Sequence, residues 1–139
     1  MREITFRAQY LHSNEWVYGV PFTSQKRTYM LTENERIREL WGVINDTTYF
    51  QEAVQRQRVK LSTMGQYTGL EDKNGVKIFE GDIVSAPNCF YDAYAVEWDA
   101  RLSSFVVRAP VMGSVRLLAD CVDVKVLGNI HDNPEMLEV

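Results

Sequence analysis

The chain has 139 residues, 45% of them apolar and 24% charged, the ordinary make-up of a globular protein, and no apolar run approaches the roughly 18 residues of a membrane span. Fifteen basic against nineteen acidic side chains leave a net charge of −4, which argues against bulk electrostatic capture of nucleic acid. Two cysteines, Cys89 and Cys121, form no CxxC pair and cannot make a four-ligand zinc site, so no metal or other cofactor is expected.

The opening MREITFRAQY lacks the apolar core of a secretory signal, and the expected setting is cytoplasmic. Charge is uneven along the chain. Residues 1–63 carry nine basic and seven acidic side chains, residues 64–139 six and twelve. Chance accounts for such a split; so do two sub-structures meeting near Met64, an N-terminal hairpin and helix region (1–63) and a C-terminal small barrel (64–139), packed as one compact unit.

The N-terminal region opens with strict alternation. Ile4, Phe6, Ala8 and Tyr10 fall on one side and Thr5, Arg7 and Gln9 on the other, the period of a half-buried strand. His12 to Glu15 supply turn chemistry, and Trp16-Val17-Tyr18 resumes the β-type composition, so residues 3–18 read as a hairpin. Residues 28–31 read as a further short strand. Thr32 and Glu35 then stand at capping-box spacing ahead of Ile37, Leu40 and Trp41, with Gly42 as a stop, which predicts a short helix. Residues 47–60 fit helix or strand equally well. If extended, they place Arg56, Arg58 and Lys60 on one face.

From Met64 onward the pattern is β. Asn74-Gly75 between two β-rich runs predicts a hairpin with a type I′ turn, which needs positive φ at both positions. Gly81-Asp82 predicts a second tight bend, after which Ile83-Val84 turns inward. Residues 94–98, 104–108, 115–118 and 122–127 follow as strands at a spacing that suits a small barrel or strongly bent sheet. Asn133-Pro134 predicts one closing helical turn.

Several of these segments carry a resemblance. MREITFRA, then GQYTGLEDKNG (65–75), IFEGDIV (78–84), VEWD (96–99), VLGNI (126–130) and DNPE (132–135) are similar to the YopX-type proteins of phages and prophages. Residues 20–63 show no motif of that family, and His131 stands where an aromatic is frequent in it. The resemblance implies a mainly β fold and a phage or prophage context, and it implies no activity.

The candidate chemistry is weighed against structural alternatives. The glycines at 65, 69, 75 and 81 form no phosphate-binding motif and read as turn and bulge residues. Asn74, Gly75, Gly81 and Asp82 are expected to act as structural turn residues. Glu80, Asp82, Glu97 and Asp99 offer a cation site or an acid/base pair only if the fold gathers them; as solvated strand-edge charges they need no such explanation. His12 and His131 have no partner motif, so no catalytic residue is assigned. Most aromatics of the C-terminal half are expected to fill the interior. Tyr91 and Tyr94, in a loop-like stretch, are candidates for exposed anchors.

The expectation is therefore a mainly β protein. It has an N-terminal β-hairpin with a short helix, followed by a small SH3-like or partly open β-barrel. The expected function is a non-enzymatic interaction module with a host or phage protein as partner, and a homo-oligomer is compatible with it. Tyr91, Tyr94, Arg56, Arg58 and Lys60 are the candidate contact residues. The first alternative is single-stranded nucleic-acid binding through Arg56, Arg58 and Lys60. The second is a metal-dependent enzyme using Glu80, Asp82, Glu97 and Asp99. No membrane partner is expected.

Overall fold

The computed structural model describes residues 3–32, 57–87 and 90–138. The helix expected after Thr32, over 33–42, falls on residues outside this set, as do Arg56 and Cys89. The described strands form two antiparallel sheets, in the orders β3-β2-β1-β4-β5 and β10-β6-β7-β8-β9, where β1 is Phe6–Gln9, β2 Trp16–Ser24, β3 Arg27–Leu31, β4 Gly65–Glu71, β5 Lys77–Phe79, β6 Asp82–Ser85, β7 Tyr94–Asp99, β8 Ser104–Arg108, β9 Val115–Leu117 and β10 Lys125–Asn129. The protein is mainly β. The expected barrel is not closed: β9 and β10 stand at opposite edges of their sheet and do not pair with each other. The chain divides into two compact units, Glu3–Gln66 and Tyr67–Val139 with the first two residues.

In the first unit β1 pairs with β2 from Phe6↔Gly19 to Gln9↔Trp16, across the turn chemistry of residues 11–15. Ala8, Val17, Met30 and Val59 form its buried core, with Phe6, Tyr10 and Met64 packed against them. The alternation of β1 marks the core face correctly, yet the other face is covered too. Arg7 and Gln9 are both buried. The Arg7 guanidinium lies 4.7 Å from the Trp16 ring centroid, where a cation meets the negative face of the indole. The Gln9 backbone amide donates to the Thr63 hydroxyl at 2.8 Å.

Strand β3 pairs with β2 from Val20↔Leu31 to Ser24↔Arg27. The two-residue turn between them, Gln25-Lys26, has positive φ at both positions, +50° and +63°. That is the type I′ pattern, built here without glycine or asparagine.

In the second unit Val84, Tyr94, Val96, Val107, Leu118 and Val124 are among the residues that bury one face of the sheet, with Ile78 packed among them. Ile83, Ala95 and Val106, which point the other way, are buried as well. The Asn74-Gly75 hairpin forms, with a different turn from the one expected. Gly75 N–H closes on Asp72 C=O at 3.0 Å, and Gly75 has φ +80° whereas Asn74 is not in the positive-φ region. Lys73 and Asn74 are therefore the central residues, and Gly75 supplies the left-handed bulge of a longer loop. The reason is Asp72: its Oδ1 accepts the amides of Asn74 at 2.8 Å and Val76 at 2.9 Å, an Asx arrangement that holds this turn.

The Gly81-Asp82 bend is tied on several sides. Gly81, at φ +93°, donates its amide to Val96 and accepts from Ile130, while the Asp82 carboxylate accepts the Phe79 amide at 2.8 Å. At Pro134–Leu137 a single 3₁₀ turn closes the described fold. Asn133 does not cap it with its side chain; that oxygen accepts the Asn129 amide instead.

Candidate functional site

The β7–β8 hairpin carries Tyr94, Glu97 and Asp99 of the singled-out side chains of the second unit. Trp98 lies directly opposite Phe105, and Val96 opposite Val107, so all four side chains share one face of the sheet. Along that face burial gives way to solvent. Val96 and Val107 are buried, whereas Trp98 is 48% exposed and braced edge-on by Phe105, with ring centroids 5.0 Å apart and planes at 70°. Leu102, in the connecting turn, is exposed as well. The buried Asp99 carboxylate fixes the turn by accepting the amides of Arg101 at 2.9 Å and Leu102 at 3.1 Å.

The opposite face of the hairpin carries charge. The Arg108 guanidinium donates to the Glu97 carboxylate and, through Nη1, to the Gly113 carbonyl at 2.9 Å, and it lies 3.8 Å from Asp99. The hydrogen bond to Glu97 and the charge of Glu97 push the Arg108 pKa above its ordinary value. Burial opposes this weakly and Asp99 adds to it.

The four carboxylates proposed as a cation site thus divide by task. Glu97 and Asp99 meet Arg108, Asp82 is 1% exposed and bonded to the Phe79 amide, and Glu80 is half-buried in the same bend. Among the described residues, no three His, Cys, Asp or Glu side chains are grouped so as to hold a metal ion.

The two tyrosines put forward as anchors part company. Tyr94 is 7% exposed and belongs to the core, and its hydroxyl oxygen accepts the Tyr91 amide at 3.0 Å, which satisfies a polar tip that burial would otherwise penalise. Tyr91 is half-buried against that core. The aromatic that reaches solvent is the neighbouring Phe90, 92% exposed, edge-on to Tyr91 at 5.2 Å. Periodicity carried no signal for this, since Phe90 and Tyr91 precede β7 and only Tyr94 belongs to it.

In the first unit Arg58 and Lys60 alternate with the buried Gln57 and Val59, as an extended segment requires. Arg58 makes an isolated bridge to Tyr29. Lys60 Nζ is held at 3.2 Å by both the Ser13 carbonyl and the Asn14 side chain. His12 is exposed in its turn and His131 half-buried.

The Cys121 Sγ donates to the Leu117 carbonyl at 3.5 Å. It lines a cavity of about 230 Å³ with Leu70, Asp72, Ile78, Leu118 and Val124. That volume lies below the roughly 300–1,000 Å³ usual for small-molecule sites.

Comparison with curated proteins finds no match. The crystal structure of protein EF1440 from Enterococcus faecalis is similar over 99% of this chain and 100% of that one, at 24% identity and a TM-score of 0.53. At that identity the likeness concerns the fold alone. The sequence profile of the YopX proteins matches residues 5–138. A match over nearly the whole length shows that the chain belongs to the YopX protein family.

Proposed function

We propose that the chain is a non-enzymatic interaction module, made by a phage or prophage in the host cytoplasm, and that its second unit binds a protein partner through the Trp98 end of the β7–β8 hairpin. One observation carries the reading. Trp98 continues the row of core side chains out into solvent and packs edge-on against Phe105 there, with Leu102 exposed in the turn that follows. A half-exposed tryptophan gives large contact area at little cost in side-chain entropy, which is why such residues dominate binding energy.

The charge of this part of the chain, six basic against twelve acidic residues in 64–139, favours a basic surface on the partner. The bonds of Glu97, Asp99 and Asp82 to Arg108 and to backbone amides give these carboxylates structural work.

Affinity capture from host lysate identifies the partner, and the test is then made with two purified proteins. Calorimetric titration should show Trp98→Ala weakening the complex at least tenfold with the thermal midpoint little changed. Equal binding by the parent and Trp98→Ala overturns the assignment. Self-association that depends on Trp98, seen by light scattering, replaces the foreign partner with a second copy of the chain.

A further inference from the structure

We infer that the cavity between the β4–β5 corner and the segment ahead of β10 is a socket for one lysine or arginine side chain of a partner protein. Both walls belong to the second unit. One is the 70–73 corner with Ile78, and the other is made by parts of the 118–124 segment. The walls are fastened to each other before anything binds. Lys73 N–H donates to the Val124 carbonyl at 2.9 Å, and the Asp72 carboxylate accepts the Val126 amide at 3.0 Å. A site already held in shape loses little freedom when it is filled. It lies away from the Trp98 contact: β10 starts beside Ser85 of β6, and β6 pairs with the Tyr94 end of β7, whereas Trp98 stands near the other end.

Size, floor and mouth each point to that occupant. About 230 Å³ is small for a free ligand and ample for one long side chain. The floor is apolar, since Ile78, Leu118 and Val124 are buried members of the core. At the mouth Glu71 and Asp123 are exposed, and among the described residues neither carboxylate makes a hydrogen bond or an ion pair. Three acidic residues against one lysine, Lys73, line the cavity, a net charge of −2. The Asp72 carboxylate is taken by three backbone amides, so Glu71 and Asp123 are the pair left to meet a cation. Lysine and arginine bury their methylene stems along apolar surface and keep the charged head at the water, which matches an apolar floor under an acidic mouth. An anionic side chain would meet like charge there. A wholly apolar one would strip water from the two carboxylates and give nothing back.

The test is a nuclear magnetic resonance titration of the isotope-labelled full chain with Nα-acetyl-lysine amide and Nα-acetyl-arginine amide. The backbone amide signals of Lys73 and of residues 118–124 should shift with one or both, saturating in the millimolar range expected of so small a contact. Nα-acetyl-norleucine amide, which has the stem without the charge, should bind about fivefold more weakly, and Nα-acetyl-glutamate amide should shift nothing there. Glu71→Gln with Asp123→Asn should cost the cationic probes about fivefold in affinity, the size of two exposed ion pairs, with the thermal midpoint little changed. Asparagine accepts the left-handed φ of +55° at Asp123 as aspartate does. Lys73→Ala should tighten binding, and Trp98→Ala should leave it unaltered. Absent shifts with both cationic probes, equal binding of the norleucine probe, or affinity that survives Glu71→Gln with Asp123→Asn would each overturn the assignment.

Discussion

The carboxylate of Asp72 accepts the backbone amide of Val126 at 3.0 Å, across 54 residues of sequence, while its other oxygen holds the amides of Asn74 and Val76. One buried side chain thus shapes its own hairpin and fastens that hairpin to β10, and Lys73 N–H reaches the carbonyl of Val124, just ahead of that strand, at 2.9 Å. Burial on its own pushes the Asp72 pKa upward. The three amide bonds, from Val126, Val76 and Asn74, with Lys73 nearby, outweigh it and hold the carboxyl below its ordinary value.

A carboxyl whose folded pKa is depressed contributes stability that is complete above its unfolded value, near about 3.9, and is lost as pH falls through the lower folded value. Acid unfolding should therefore steepen below pH of about 4. Asp72→Asn should remove that component and, because an amide nitrogen cannot accept from Val126, cost about 1.5–3 kcal/mol at neutral pH. Urea unfolding of both proteins at neutral pH and near pH 3 checks sign and size.

Gly75 and Asn74 should respond unequally to alanine. Gly75 sits at φ +80°, where a Cβ is disfavoured, whereas Asn74 does not. Gly75→Ala should cost about 1 kcal/mol and Asn74→Ala only a few tenths. Equal losses in urea midpoint would restore the type I′ turn.

Gly19 is glycine for want of space. A Cβ there would stand 1.9 Å from the Leu31 carbonyl oxygen, and backbone cannot swing aside as a side chain does. Gly19→Ala should cost about 2 kcal/mol or more, exceeding the loss at Gly75. Thermal melts of the two variants side by side test the order.

Val96 is fully buried on the face that ends in Trp98. Val96→Ala should destabilise by about 2 kcal/mol through lost transfer energy and the cavity left behind. The half-exposed Trp98 should lose less stability per atom removed. Chemical denaturation of both variants separates the core from the contact.

Much of the strand layout was legible in the residue pattern, and the misreadings have identifiable causes. Alternation from Ile4 to Tyr10 marks β1 because the face that carries Ala8 packs into a core with Val17, Met30 and Val59. It could not foretell that Arg7 and Gln9 are covered too, since that depends on what packs on the far side. Period-two patterning gives the face of a strand and not its neighbours, so the strands of the second unit suggested a barrel where β9 and β10 end an open sheet. The Asn74-Gly75 signal named the right corner and the wrong turn, because the Asp72 side chain selects among turns that Asn-Gly also permits. The true type I′ turn, Gln25-Lys26, contains none of the residues that advertise one. Nothing periodic distinguishes the exposed Phe90 from the buried Tyr94, which opens β7.

Gly81 receives the amide of Ile130 and Asp72 that of Val126, so two early corners of the second unit borrow their last hydrogen bonds from much later in translation. A nascent polypeptide arrested before residue 126 would hold its hairpins with those acceptors still facing water. Local pairs can form as they emerge from the ribosome, but the long-range ones must wait for chain that has not yet been made. The second unit should gain its full resistance to proteolysis only after residue 130 has cleared the exit tunnel.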